Sequence, residues 1–128
     1  MGKIAIVVVG EHNAGKSKTI NKYLKKMLNI GERVHKFTYE QCEGYILSQT
    51  REERQDFENN ISRYAKYDIL ILAARPESEN NSLFKDTESK LKSMNYQISV
   101  VEIIKDQTEQ FYKNKANDIF SLVAKQSC

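Results

Sequence analysis

Cysteine is scarce in this sequence. Cys42 and Cys128 are the only two, too few and too irregularly spaced for a disulfide framework or a zinc site. They are expected to be free thiols in a cytoplasmic protein, with no disulfide-linked partner, and Cys128 is expected to be mobile. Glu40, Gln41 and Glu43 around Cys42 favour the protonated thiol over the thiolate, which argues against a catalytic cysteine. Long hydrophobic runs are also missing. The longest, Ile4 to Val9, falls far short of the roughly 20 residues a membrane helix needs and carries no signal-peptide cleavage pattern. Met1-Gly2 is followed by Lys3-Ile4-Ala5-Ile6, without the Ser or Thr of a myristoylation signal, so no membrane partner is expected. Charge of one sign is not in large excess either: the net charge is +3, with Lys and Glu dispersed in mixed-sign stretches. A broad electrostatic grip on nucleic acid is therefore not expected. Proline occurs once, at Pro76, and no repeat or low-complexity tract interrupts the chain. With 128 residues and 40% hydrophobic content there is material for one core and too little for two, which predicts a single domain over 1–128.

What is present is a motif. Gly10-Glu11-His12-Asn13-Ala14-Gly15-Lys16-Ser17 fits G-x-x-x-x-G-K-S/T, the phosphate-binding loop pattern, and follows the β-branched run Ile4 to Val9, which reads as a strand buried on both faces of a parallel sheet. Helix-forming sequence begins at Lys16. Such a loop surrounds a polyphosphate with main-chain N–H donors, here those of Asn13 through Ser17, and its glycines, Gly10 and Gly15, permit backbone dihedrals and approaches that a Cβ would obstruct. The helix that starts there adds its unpaired N–H groups and the positive end of its dipole. Lys16 is expected on the β- and γ-phosphate oxygens and Ser17 on Mg²⁺, with Ala14 inside the loop and Lys18 within reach of an α-phosphate. A plain strand-to-helix turn capped by Ser17 would explain one of the four fixed positions. His12 is expected to face solvent.

Beyond the loop, strand and helix patterns alternate with short joints, which predicts a small doubly wound, mainly parallel four-stranded α/β sheet with helices on both faces. The first helix is expected from Lys16 to Asn29, closed by Gly31, with Ile20, Tyr23, Leu24, Met27 and Leu28 inward and Asn21, Lys22, Lys25 and Lys26 outward. Arg33 to Thr38 reads as a polar edge strand built on Val34 and Phe37. The stretch from Tyr39 to Gln49 has the irregular character of a functional loop. Thr50-Arg51-Glu52-Glu53 has the form of a capping box for a helix burying Phe57, Ile61, Tyr64 and Ala65. Asp68 to Ala74 is a second central strand beside the first, ended by Arg75 and Pro76. A helix capped by Ser82 should turn Leu83, Phe84, Thr87, Leu91 and Met94 inward. Ile98 to Ile104 is the last strand, and a helix from Thr108 to Lys125 should bury Phe111, Tyr112, Ile119, Phe120 and Val123.

On these residues the chain resembles the P-loop nucleoside triphosphatase superfamily. The stretch from Val7 to Ser17, with Ile20-Asn21 after it, looks most like the first motif of Era-like and dynamin-like GTPases, and the likeness ends with that helix. The D-x-x-G and N-K-x-D motifs of those GTPases are absent: Ala74 is followed by Arg75-Pro76-Glu77-Ser78, and Asn114-Lys115-Ala116-Asn117 lacks the aspartate. Nucleoside and nucleotide kinases fit the short chain better, yet the resemblance to them lacks an acid at the end of the strand beside the loop, Asp68 lying at its other end, and no arginine follows Arg75.

Mg²⁺ binding and nucleophile activation call for a carboxylate near the γ-phosphate. Glu40 is the first candidate, expected at the same sheet edge as the loop, with Glu43 as its substitute and Glu77 and Glu79 behind them. Arg75, at the end of a central strand, is placed to neutralise charge on a transferring phosphoryl group. The sequence thus points to a protein that binds ATP or another nucleoside triphosphate with Mg²⁺, as a phosphohydrolase or kinase in which Lys16, Arg75 and Glu40 act. The alternative is a non-catalytic nucleotide-binding module that works with a protein partner.

Overall fold

The computed structural model describes residues 2–11, 13–50, 61–79, 82–126 and 128. Its centre is β1 (Lys3–Val9), whose residues from Ala5 onward are buried. A strand so apolar on both faces must be flanked by strands and covered twice. β1 is hydrogen-bonded in parallel to β4 (Ile69–Ala74), every residue of which is buried, and to β5 (Tyr96–Glu102). On the far side of β4 lies β3 (Cys42–Leu47), also parallel, and β2 (Lys36–Tyr39) closes that edge antiparallel to β3. The order is β2-β3-β4-β1-β5.

Side chains alternate between two packed layers, as the two-residue strand period requires. Ile6 and Val8 face α1, a π-helical stretch Lys18–Leu24 continued by an α-helical turn Lys25–Met27, and α3 (Glu109–Ala124). Ile20 and Leu24 of α1 meet Tyr112, Ala116, Ile119 and Val123 of α3 in that layer. Ala5, Val7 and Val9 face the other side, where Leu91 of α2 (Phe84–Ser93) packs with Tyr64 and Tyr67. Tyr64 belongs to a 3₁₀ turn, Ile61–Tyr64. The Tyr96 hydroxyl lies 2.7 Å from Tyr64 O and 2.8 Å from Tyr67 O, pinning that turn to β5, and burial pushes its pKa up to about 12.

The molecule is α/β with helices on both faces, and its sheet is five-stranded and mixed where four strands were expected. The extra strand is β3, inside the stretch read as an irregular loop. A two-residue turn at Glu40 and Gln41, both with positive φ (49° and 72°), folds it back on β2. Three helices occur among the described residues. The helix expected after the Thr50 capping box falls largely on residues 51–60, outside those described.

Two side-chain expectations are also corrected. Cys42 and Cys128 form a disulfide with Cα atoms 5.3 Å apart, because α3 carries the chain back to the sheet edge where β3 begins. Free thiols are therefore not what the structure holds. Lys25, expected outward, is 1% exposed. The wider winding of the π-helical stretch, in which Lys25 N donates to Ile20 O, shifts the faces of the helix and brings Lys25 inward. Asn29, with φ 61°, supplies the left-handed stop near the helix end that was assigned to Gly31.

Candidate functional site

The loop 10–17 leaves β1 at the edge where β4 and β5 also end. Gly10 N donates to Ala74 O at 3.1 Å, and Ile103 N donates to Val9 O at 2.7 Å. Both pattern glycines are demanded by this geometry. A Cβ on Gly10 would sit 2.9 Å from Ile103 O and 3.1 Å from the Ala14 Cβ. Gly15 has φ 107°, and a Cβ there would lie 2.5 Å from Cε1 of Tyr112. The Tyr112 ring thus underlies the loop, with its hydroxyl donating to Ile104 O and accepting from Gln107 N, both at 3.2 Å. Asn13 adds a second positive φ, 62°.

Helical winding begins at Lys16, where Gly15 O accepts from Thr19 N at 2.9 Å. The loop therefore runs into a helix N-terminus, whose first N–H groups have no partners within the helix. Lys16 is only 6% exposed, and its ammonium donates to Gly10 O at 2.5 Å and Glu11 O at 2.7 Å. An ammonium this buried needs acceptors, and the loop carbonyls provide them. Ser17 Oγ accepts from Asn21 Nδ2 at 3.0 Å, which fixes the hydroxyl while leaving it a further lone pair.

Residues 13–17 line a depression of about 360 Å³ whose opposite wall is Ser48 and Gln49, just past the end of β3. Because β3 runs parallel to β1, its C-terminal end arrives at the loop's edge of the sheet. Ser48 and Gln49 were not anticipated. Polar residues directly after the apolar Tyr45-Ile46-Leu47 are the signal that would have found them. Thr50, next in line, is 1% exposed, and its hydroxyl has no hydrogen-bond partner among the described residues.

Of the expected site residues, the fold brings together Gly10, Asn13, Ala14, Gly15, Lys16 and Ser17. Lys18 faces the other way, toward α3, with its ammonium 2.7 Å from Glu109 Oε2 and 5.3 Å from the centre of the Tyr112 ring. Lys22 Nζ at 3.2 Å and the Tyr23 hydroxyl also bind Glu109, and these three donors hold its carboxyl down at about 2. Arg75 does stand at the loop's edge, following Ala74, which pairs with Val9. Its Nη1 meets Glu79 Oε1 at 3.2 Å, so it has a structural partner.

Glu40 is not near the loop. The register Tyr39↔Cys42, Gly44↔Ile69 and Ile69↔Ile4 puts the Glu40 turn at the opposite end of the sheet, because β2 runs antiparallel. Glu43 lies at that end as well, its N–H donating to Asp68 Oδ2 at 2.9 Å. Glu77 pairs with Lys85 at 2.8 Å. His12 lies outside the described residues. Among the described residues no carboxylate lines the loop depression, and no cluster of three or more His, Cys, Asp or Glu could hold a metal. A larger depression, about 540 Å³, lies over the β2–β3 hairpin with Phe37, Gly44 and Tyr67 in its walls, at the end of the sheet remote from the loop.

Compared with protein-family models, curated proteins and solved structures, the chain matches none.

Proposed function

We propose that the loop 10–17 binds the phosphates of a nucleoside triphosphate, with ATP the expected nucleotide, in a domain of P-loop type. The observation that carries this reading is the agreement between motif and backbone: the pattern's glycines sit where Cβ atoms would collide, between a buried strand and a helix start. Lys16 would turn from the carbonyls of Gly10 and Glu11 to the β- and γ-phosphates, a charge-assisted contact of about 1.5–3 kcal/mol. Ser17 would contribute a hydroxyl to Mg²⁺, whose remaining ligands would be phosphate oxygens and water. When bound, Mg²⁺ supplies neutralisation of charge on the transferred phosphoryl group.

A phosphohydrolase or kinase is the first form of this proposal, with Arg75 able to serve if it leaves Glu79. A non-catalytic nucleotide-binding module is the second. It is favoured by one observation, the lack of a carboxylate lining the loop depression among the described residues. Glu52, Glu53, Asp56 and Glu58 follow in sequence within residues 51–60, outside those described. Phosphate release from Mg·ATP separates the forms. An enzyme should release phosphate faster in the wild type than in Lys16→Ala. Equal rates across phosphoryl acceptors, with nucleotide binding intact, would select the module.

A further inference from the structure

A second depression, of about 480 Å³, adjoins the first and shares Ser17, Ser48 and Gln49 with it. Its other walls are Asn21 and Lys25 of α1 and the residues Glu32, Arg33 and His35 that lead into β2. It lies on the β3 side of α1, away from β5. Lys25 and Arg33 are cationic there, against the single carboxylate of Glu32.

Lys25 is the unusual member. Its side chain is 1% exposed, and among the described residues its ammonium makes one hydrogen bond, to Glu32 O at 2.7 Å. An ammonium carries three donors, and taking it out of water is costly unless they are used. Desolvation lowers its pKa from the usual lysine range, and the Glu32 carboxylate opposes that shift. Beside it are two groups with unused acceptor capacity, which suit a ligand hydroxyl and not an anionic oxygen. Asn21 donates from Nδ2 to Ser17 Oγ, while its Oδ1 is buried with no hydrogen-bond partner among the described residues. His35 Nδ1 lies 3.0 Å from Ile46 O, and its ring stacks on Tyr45 at 5.8 Å. A carbonyl can only accept, so Nδ1 carries the proton, and Nε2 in that tautomer can accept from a ligand hydroxyl but cannot donate to an anion. Arg33 is exposed and presents a fork suited to two oxygens of one anion.

We infer that this groove binds the oxyanion, phosphate or carboxylate, of a second small-molecule substrate beside the phosphates held by the loop, with Lys25 and Arg33 as its charge partners. The inference rests on the nucleotide reading, because the two depressions share a wall. Ser17, Ser48 and Gln49 form that wall, so an anion in the groove would adjoin the loop depression.

The test uses the full chain, isotopically labelled, saturated with Mg²⁺ and a non-hydrolysable ATP analogue so that the loop is filled. Amide NMR spectra are then titrated separately with inorganic phosphate and with acetate. Saturable shifts at Asn21, Arg33, His35 and Ser48 are expected from at least one anion, and the tighter one tells phosphate from carboxylate. Lys25→Met should weaken that binding at least tenfold, and Arg33→Gln, an exposed substitution that spares the fold, should weaken it severalfold. Analogue affinity should change less than twofold in either variant. Three results would overturn the inference: no saturable shift with either anion, wild-type anion affinity in both variants, or a loss of analogue affinity as large as the loss of anion affinity. The last would assign the groove to the nucleotide itself. If the analogue does not bind, the loop reading fails on its own, and the same titrations of Lys16→Ala still report on the groove.

Discussion

At the residue scale the loop is held by exclusion. Gly15 combines φ 107° with a Tyr112 ring where its Cβ would be, so Gly15→Ala meets a backbone penalty and a packing collision together. Where a glycine's dihedrals suit alanine, the same change stabilises by about 0.4–1 kcal/mol. Here a loss of about 1–3 kcal/mol in chemical denaturation is expected, along with at least tenfold weaker nucleotide binding. A more stable Gly15→Ala protein would contradict the assigned geometry. Lys16 and Lys25 show how two lysines of one segment divide. Lys16 was legible because the motif fixes it. Lys25 was not, because the periodicity that assigned it outward assumes α-helical winding, and the chain from Lys18 to Leu24 is wound wider.

At the element scale, Glu109 ties the start of α3 to α1 through Lys18, Lys22 and Tyr23. With its carboxyl held at about 2 in the folded chain and near 4.3 when unfolded, protonation favours the unfolded state. This contribution is complete above about pH 4.5 and is lost as pH falls toward 2. The acid limb of the wild-type stability curve should therefore be steeper than that of Glu109→Gln. Because the group is exposed, 0.5 M salt should reduce the difference. Carboxyl NMR of Glu109 with a midpoint in the ordinary glutamate range would contradict the tie.

The elements that were legible share strong local signals. α3 begins where Thr108 accepts from Phe111 N at 3.2 Å, and β4 is an unbroken apolar run. β3 lacked such a signal. Its hairpin turns on Glu40 and Gln41, without the Asn-Gly or Asp-Gly that favours two positive φ values, and Gly44 looks like a loop residue. Gly44 is there because the Phe37 ring on the paired strand lies over it, with a Cβ–Cζ separation of only 2.1 Å were a Cβ present. Missing this strand hid Ser48 and Gln49 and left Glu40 on the wrong edge. The candidate site was thus half legible: the motif's own residues from sequence, the facing wall only from topology.

At the scale of the whole molecule, the Cys42–Cys128 bond closes a loop of 86 residues. Loop-closure entropy puts its stabilising effect at about 4.6 kcal/mol before native-state terms. Reduction, or Cys128→Ser at an exposed position, should lower Tm by about 10–20 °C while leaving nucleotide binding unchanged, since the bond sits at the end of the sheet opposite the loop. A coupled loss of binding would contradict that separation.

The phosphate-binding role of residues 10–17 is tested most directly by calorimetric titration with Mg·ATP and Mg·GTP, accompanied by thermal melts. Saturable wild-type binding is expected for at least one nucleotide. At 100 times Kd the stabilisation should be about 2.7 kcal/mol, a rise of several degrees in Tm for a domain of this size. Lys16→Ala, folded by circular dichroism, should bind at least tenfold more weakly. Absence of binding by the folded wild type, or equal affinity in Lys16→Ala, would contradict the assignment.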